Sequence, residues 1–300
     1  MLVPKDSGNV GFAFYRYDPS MGAAVLFVLL FIGTTGYHIM QMFKSRTWFF
    51  IPFVMGGICV YPHKHPEAAI HADLPRPVEI IGYIGRAASS KQSPNWTLGP
   101  YLVQTLFLLL APALLAASIY MFLGRIILVL QAESHALMKK KWLTKVFVTG
   151  DVLSFFLQGA GGGIQSSGSL ESMKTGEHII VGGLVIQILF FAFFILTATH
   201  FDWKLKEYPI PCACSPDIPW RKHLNVLYMT SCLIMIRSMF RLIEYIQGNN
   251  GYLLHHELYL YIFDSLLMLL TMVTFNVVHP KEIGQLLRRP SRYEMTDEQL

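Results

Sequence analysis

Six charged side chains lie in stretches that are otherwise apolar: Glu79, Asp151, Arg237, Arg241, Glu244 and Asp264. A charge placed in hydrocarbon costs about 2.5–3.5 kcal/mol or more, so each needs a partner or a task. Arg237, Arg241 and Glu244 follow the three-and-four spacing of one helix face. Asp264, and Glu79 if its helix is continuous, fall at a similar depth in other apolar segments. The five make a cluster of three acids and two arginines, net −1. Two kinds of chemistry suit it. One is a buried ion-pair network that fixes helix packing; the other is a polar pocket where a cationic amine meets a carboxylate. Asp151 stands apart, six residues from Lys145 and without an obvious partner. With Gln158 seven residues on, it is a candidate for proton coupling or for a hydrogen bond between helices.

Other chemistries find little support. His63, His65 and His71 superficially resemble a metal cluster, but they sit in a proline-rich segment without period. Zinc hydrolysis needs histidines at helical spacing with a carboxylate, and the apolar segments offer only His38 and terminal histidines. The glycines at 159 and 161–163 are not followed by the Gly-Lys-Ser/Thr of a phosphate loop. They permit close helix approach or a helix break instead. No serine nucleophile elbow is present, and the last apolar run has no lysine for a retinal Schiff base. The expectation is a protein that is not an enzyme, with no cofactor, no metal and no nucleotide or nucleic-acid partner. Lys139-Lys140-Lys141 reads as a headgroup-facing anchor. Cys212 and Cys214 read as reduced thiols, with lipidation as the alternative.

The elements that must hold these residues follow from composition. The chain has 300 residues, 53% hydrophobic and only 14% charged. That excludes disorder and an ordinary soluble surface. A helix needs about 20 mostly apolar residues to cross a bilayer. Met21–Met42, Tyr101–Leu123, Ile179–Thr199, His223–Ile246 and Leu258–Val278 each suffice. Leu143–Gly163, which carries Asp151 and Gln158, reads as a more polar helix facing the bundle. A further span is split. Trp48–Ile58 and Val78–Arg86 are each too short to cross, but joined they make one span. The fold expected is an all-α, polytopic seven-transmembrane helix bundle over residues 21–278, with tails at 1–20 and 279–300.

In that arrangement fifteen basic residues share a side with the C-terminal tail and five lie opposite. The positive-inside rule puts the C-terminus in the cytosol and the N-terminus outside. The sequon Asn95-Trp96-Thr97 then falls on the outer side, so Asn95 is a glycosylation candidate.

Several strings carry a family resemblance. They are Glu79-Ile-Ile-Gly82-Tyr83 with Arg86, APALLAASIYMFLGRII at 111–127 and FVTGDVLSFFLQGAGGG at 147–163. Then come Gly183-Leu184 with Gln187, RSMFRLIEYIQG at 237–248, Glu257, Tyr261, Phe263-Asp264 and His279-Pro280. Together they resemble the fungal lipid-translocating exporter family, RTA-like seven-span proteins linked to aminocholesterol resistance. The resemblance implies a plasma- or internal-membrane translocator of lipids or amphiphiles: sphingoid long-chain bases, sterol-like toxins or porphyrins. Its partners would be membrane lipids and amphiphilic small molecules. A seven-span receptor or sensor, or a regulator of lipid asymmetry, is the alternative. One departure stands out. The family's second span runs nearly straight into the Glu-x-Ile-Gly-Tyr segment, whereas Cys59–Pro77 intervenes here. Four prolines and three histidines in that stretch suit the translation of an unspliced intron.

Overall fold

The computed structural model describes residues 21–57, 98–165, 169–214, 218–247, 253 and 257–287. Among them every regular element is a helix. The chain runs through α1 (Met21–Ser45), a 3₁₀ turn at Trp48–Phe50, α2 (Ile51–Gly57) and α3 (Leu98–Val129). It continues with α4 (Lys140–Gln165), α5 (Leu170–Glu207), the short α6 (Pro211–Cys214) and α7 (Trp220–Ile246). The last stretch is α8 (Glu257–Leu260), a π-helical turn at Tyr261–Leu266, α9 (Leu267–Val277) and α10 (Lys281–Leu286).

Among the described residues five helical stretches are long and apolar enough to cross a membrane: Gly22–Ser45, Leu108–Val129, Glu171–Glu207, Trp220–Ile246 and Leu258–Val277. They coincide with the five clear apolar runs of the sequence. α4 has 26 residues, about 39 Å of helix, and is long enough to cross but more polar. Of the split span, only α2 and the turn before it fall within the described residues.

The surface is apolar and part of the interior is polar. Leu29, Phe156, Leu189, Leu196 and Val277 are exposed, while Asp151, Gln158, Arg237, Arg241, Glu244 and Asp264 are buried. In water so much exposed hydrocarbon would drive association; against lipid tails it is the natural outer face. The helices pack as a closed ring: α2 on α3, α3 on α4, α4 on α5, α5 on α7, α7 on α9, and α9 back on α1. α3 also meets α7 across the bundle. Its Leu115, Ile119, Tyr120, Phe122 and Leu123 fill the core together with Phe50, Phe53, Phe194 and Phe275. Side-chain bonds close the ring, from Gln41 Nε2 to the Asn276 carbonyl and from Asn276 Nδ2 to the Thr34 carbonyl.

The α4–α5 seam is the tightest. A Cβ on Gly161 would lie 2.7 Å from the Gly176 carbonyl oxygen, so the two backbones touch where any side chain would push them apart. Of the two roles the sequence left open for this glycine run, close approach is the one seen, and α4 continues to Gln165. α5 starts on a Ser169 cap, whose hydroxyl accepts the Ser172 N–H at 3.1 Å. It ends with Lys204 and Lys206 in its last turn, where cations suit the helix dipole.

Candidate functional site

Three groups of buried polar side chains sit in this frame. The first joins α7 to the π-helical turn. Arg237 forms an ion pair with Asp264, and both side chains are almost wholly buried. Arg237 Nη2 also donates to the Leu108 carbonyl on α3 at 2.8 Å. That carbonyl has a particular need. Its helical partner would be the N–H of residue 112, four residues on, and residue 112 is a proline. α3 runs through Pro112 with one backbone acceptor left over, which in hydrocarbon must be satisfied. Arg237 supplies the missing donor and pins three segments at one guanidinium. One turn along α7, Arg241 Nη1 donates to Glu244 Oε2 at 2.7 Å, and the guanidinium lies 5.5 Å from the Tyr245 ring centre. Glu244 also feels the charges of Asp264 and Arg237, so the two pairs form one cluster. The described four residues balance to zero.

The second group lies between α3, α4 and α5. Tyr120 Oη donates to Asp151 Oδ2 at 2.9 Å. One turn on, Ser154 Oγ donates to the Gly183 carbonyl at 2.7 Å. Gln158 Nε2 donates to Ser154 Oγ at 2.5 Å and to Gln187 Oε1 at 3.2 Å. Asp151, Ser154 and Gln158 thus make a polar stripe on one face of α4. Gly183 lets α5 come close enough to be bonded: a Cβ there would lie 2.9 Å from Gln158 Cγ. Asp151, which had no obvious partner in the sequence, makes a hydrogen bond between helices, one of the two readings open for it, and its partner is a tyrosine on another helix. Phe147, Phe191 and Phe194 surround the Tyr120 ring and fix it in place. Two acceptors in this seam, Asp151 Oδ1 and Gln158 Oε1, have no hydrogen-bond partner among the described residues.

The third group gathers histidines from α1, α7 and the turn between α9 and α10. His38 Nε2 bonds the Met272 carbonyl oxygen at 2.9 Å, and its ring lies 6.2 Å from His279. His223 Nε2 meets Glu282 Oε2 at 2.9 Å, and Lys222 is 3.6 Å from the other oxygen of that carboxylate. Phe50, Phe53, Phe122 and Phe275 pack among these rings. His279 follows the last span. Burial, aided by Lys281 and His223, holds its imidazole down to about 4, so it is neutral at pH 7. Its Nδ1 accepts the Lys281 N–H at 3.2 Å, which starts α10. No group of three metal-ligating side chains is found among the described residues.

A family described as RTA1 like protein matches residues 77–286. The chain belongs to the RTA1-like family. It is 39% identical to protoporphyrin uptake protein 1 of Saccharomyces cerevisiae, over 89% of this chain and 92% of that protein. It is 38% identical to protein RTA1 of the same organism, over 90% and 86%. It is 26% identical to the sphingoid long-chain base transporter RSB1, also from S. cerevisiae, over 81% and 67%. No solved structure matches.

For this RTA1-like chain, the structure brings four of the five expected cluster residues together: Arg237, Arg241, Glu244 and Asp264. It also places Asp151 and Gln158 on one buried stripe. Glu79, Asn95 and the 59–77 segment lie outside the described residues. Sequence reasoning missed three features. Tyr120 sits in an apolar run and reads as packing. The histidines at 38, 223 and 279 are too far apart in sequence to suggest a meeting. The Leu108 acceptor had one available signal, a proline four residues later.

Proposed function

We propose that this multi-pass membrane protein translocates single-chain or polycyclic amphiphiles across the bilayer. The observation that carries the reading is the polar seam of Tyr120, Asp151, Ser154, Gln158 and Gln187. It is buried between helices whose outer faces are hydrocarbon. Burying unsatisfied acceptors in such a place costs stability and adds nothing to packing. Family membership supports the same reading, since relatives are named for moving a porphyrin and sphingoid bases. We infer the same substrate range here: long-chain bases, sterol-like amphiphiles or porphyrins.

The topology we propose has seven spans, with residues 1–20 outside and 279–300 in the cytosol. α4 and the joined halves at 48–58 and 78–86 complete the five clear spans. Residues 59–77 are then an insertion. In its favour, neither half alone can cross a bilayer, and the family match begins at residue 77. The plasma membrane is the proposed site of action, with Asn95 outside. Arg237, Arg241, Glu244 and Asp264, with Glu79, form the outer cluster. Because each described guanidinium already faces a carboxylate, we assign this cluster to holding the helices. Asp151 and Gln158 are assigned to the transport path.

The test is reconstitution of the purified chain in phosphatidylcholine vesicles loaded with a fluorescent sphingoid base. Protein-dependent movement between leaflets is expected. Its absence from folded, monodisperse protein overturns the reading.

A further inference from the structure

We propose that Asp151 exchanges one proton for the ammonium headgroup of one single-chain amphiphile, both competing for the same carboxylate oxygen. The inference rests on the translocation reading above and adds its energy source.

Asp151 is 3% exposed and carries the Tyr120 hydroxyl on Oδ2, while Oδ1 has no hydrogen-bond partner among the described residues. Gln158 Oε1, on the same stripe, is equally unpartnered. The nearby donors are already committed. Ser154 gives its proton to Gly183, and Gln158 Nε2 serves Ser154 and Gln187. A buried acceptor without a donor costs about 1–3 kcal/mol. Among the described residues the seam is therefore short of donors. Two species bring one: a proton on the carboxyl, or the N–H of a primary ammonium. They cannot occupy Oδ1 together.

Charge leads to the same pair. α3 and α5 are the helices packed on α4 here. α3 contributes Tyr120, and α5 contributes Gln187, which does not titrate. On α4 the nearest cation is Lys145, six residues away with an exposed side chain. Tyr120 is the one titratable group acting on Asp151 among the described residues. With no arginine or lysine in contact among the described residues, the carboxylate is neutralised by a proton or by the cation it carries.

α4 also carries a lipid face: Val152 and Leu153, next in sequence, are 45% and 49% exposed. They turn about 100° and 200° away from Asp151 around the helix, so in the exchange the headgroup enters the seam as α3, α4 and α5 part, while its chain stays in lipid. Asp151 is 11 residues from the start of α4 and 14 from its end, about 17 and 21 Å. Such a mid-depth site serves both leaflets.

The balance is simple. The ammonium arrives and leaves with all its protons, and no covalent bond in it changes. One proton binds Oδ1 as the ammonium departs, and leaves when the next one binds. One positive charge crosses in each direction, so no net charge moves. A pH gradient drives the cycle and a membrane voltage does not.

The experiment uses the full chain in phosphatidylcholine vesicles with a fluorescent sphingoid base, and protein-free vesicles as the baseline. Valinomycin and potassium set the voltage independently of pH. An opposing proton gradient at zero voltage should raise protein-dependent flux at least tenfold, and a potassium diffusion potential at equal pH should leave it unchanged. Asp151→Asn should abolish the response to pH, and Asp151→Glu should keep it. An N-acetylated, uncharged analogue should show no pH-driven movement. Flux that follows voltage at equal pH, or pH-driven flux surviving Asp151→Asn, overturns the exchange. Downhill flux indifferent to the gradient overturns it too, while leaving translocation standing. No flux under any condition removes the translocation reading itself. The voltage measurement on the unaltered chain decides the question even if Asp151→Asn does not fold.

Discussion

Asp264 and Asp151 are both aspartates buried in apolar helices, and they are matched in opposite ways. Asp264 faces a guanidinium that reaches from α7 and is itself held by a backbone carbonyl on α3. Asp151 faces a phenol, and one of its oxygens has no hydrogen-bond partner among the described residues. The first arrangement is closed in charge, guanidinium against carboxylate, although Asp264 Oδ2 also has no hydrogen-bond partner among the described residues. The second is open and needs something that comes and goes. Burial alone does not mark a functional carboxylate. Whether its partner completes it does.

The sharpest way to break the comparison is to remove the completing partner. Arg237→Ala leaves Asp264 without its counter-charge and the Leu108 carbonyl without a donor. A loss of about 3–5 kcal/mol is expected, read as a large drop in melting temperature in detergent. The double variant Arg237→Met with Asp264→Leu should recover most of it. A single variant as stable as the parent would remove the distinction between the two sites.

Exchanging each aspartate for asparagine separates them more finely. Asp264→Asn strands Arg237 and should cost several kcal/mol. Asp151→Asn keeps an oxygen for the Tyr120 hydroxyl and should cost about 1 kcal/mol or less. Equal losses in thermal unfolding would show that both carboxylates are structural.

The proline gives a smaller, independent check. Pro112→Ala restores an N–H that can serve the Leu108 carbonyl. On its own it should change stability by less than about 1 kcal/mol. In a double-mutant cycle it should soften the Arg237→Ala loss by about 1 kcal/mol. Strict additivity would mean that Arg237 and Pro112 do not share that carbonyl.

A pH-dependent effect is expected at the histidine end, where the distinction between charged and neutral partners recurs. His279 titrates at about 4 in the fold, against 6.5 for a free imidazole. The unfolded chain therefore binds more protons between those values. Stability should be full above pH 6.5 and fall as the pH drops toward 4. His279→Phe should flatten melting curves recorded between pH 7 and 5; an unchanged slope would assign the acid sensitivity elsewhere.

Much of this was readable from the chain. Five apolar runs gave five helices at nearly their final positions, because hydrocarbon thickness fixes length and composition together. Arg237 and Asp264 could be placed at matching depth from rise per residue alone, and they do meet. Asp151 was visible as an anomaly, but its tyrosine was not. A phenol adds little to the polarity of a run, and its direction depends on how α3 rotates against α4. The π-helical turn at Tyr261–Leu266 was equally hidden, since no residue type there demands it. Backbone acceptors carry no letter of their own, so the Leu108 carbonyl could be inferred only through what Pro112 lacks.

The bond from Arg237 to Leu108 also sets a timetable for biogenesis. The two residues are 129 positions apart, which at ribosomal speed is roughly 6–26 s of synthesis. Throughout that interval α3 exists as a helix with one carbonyl unanswered. It must stay hydrated, shielded by the insertion machinery or loosely packed until α7 emerges. A chain truncated before α7 leaves α3 permanently in that condition and should be an early substrate for membrane quality control.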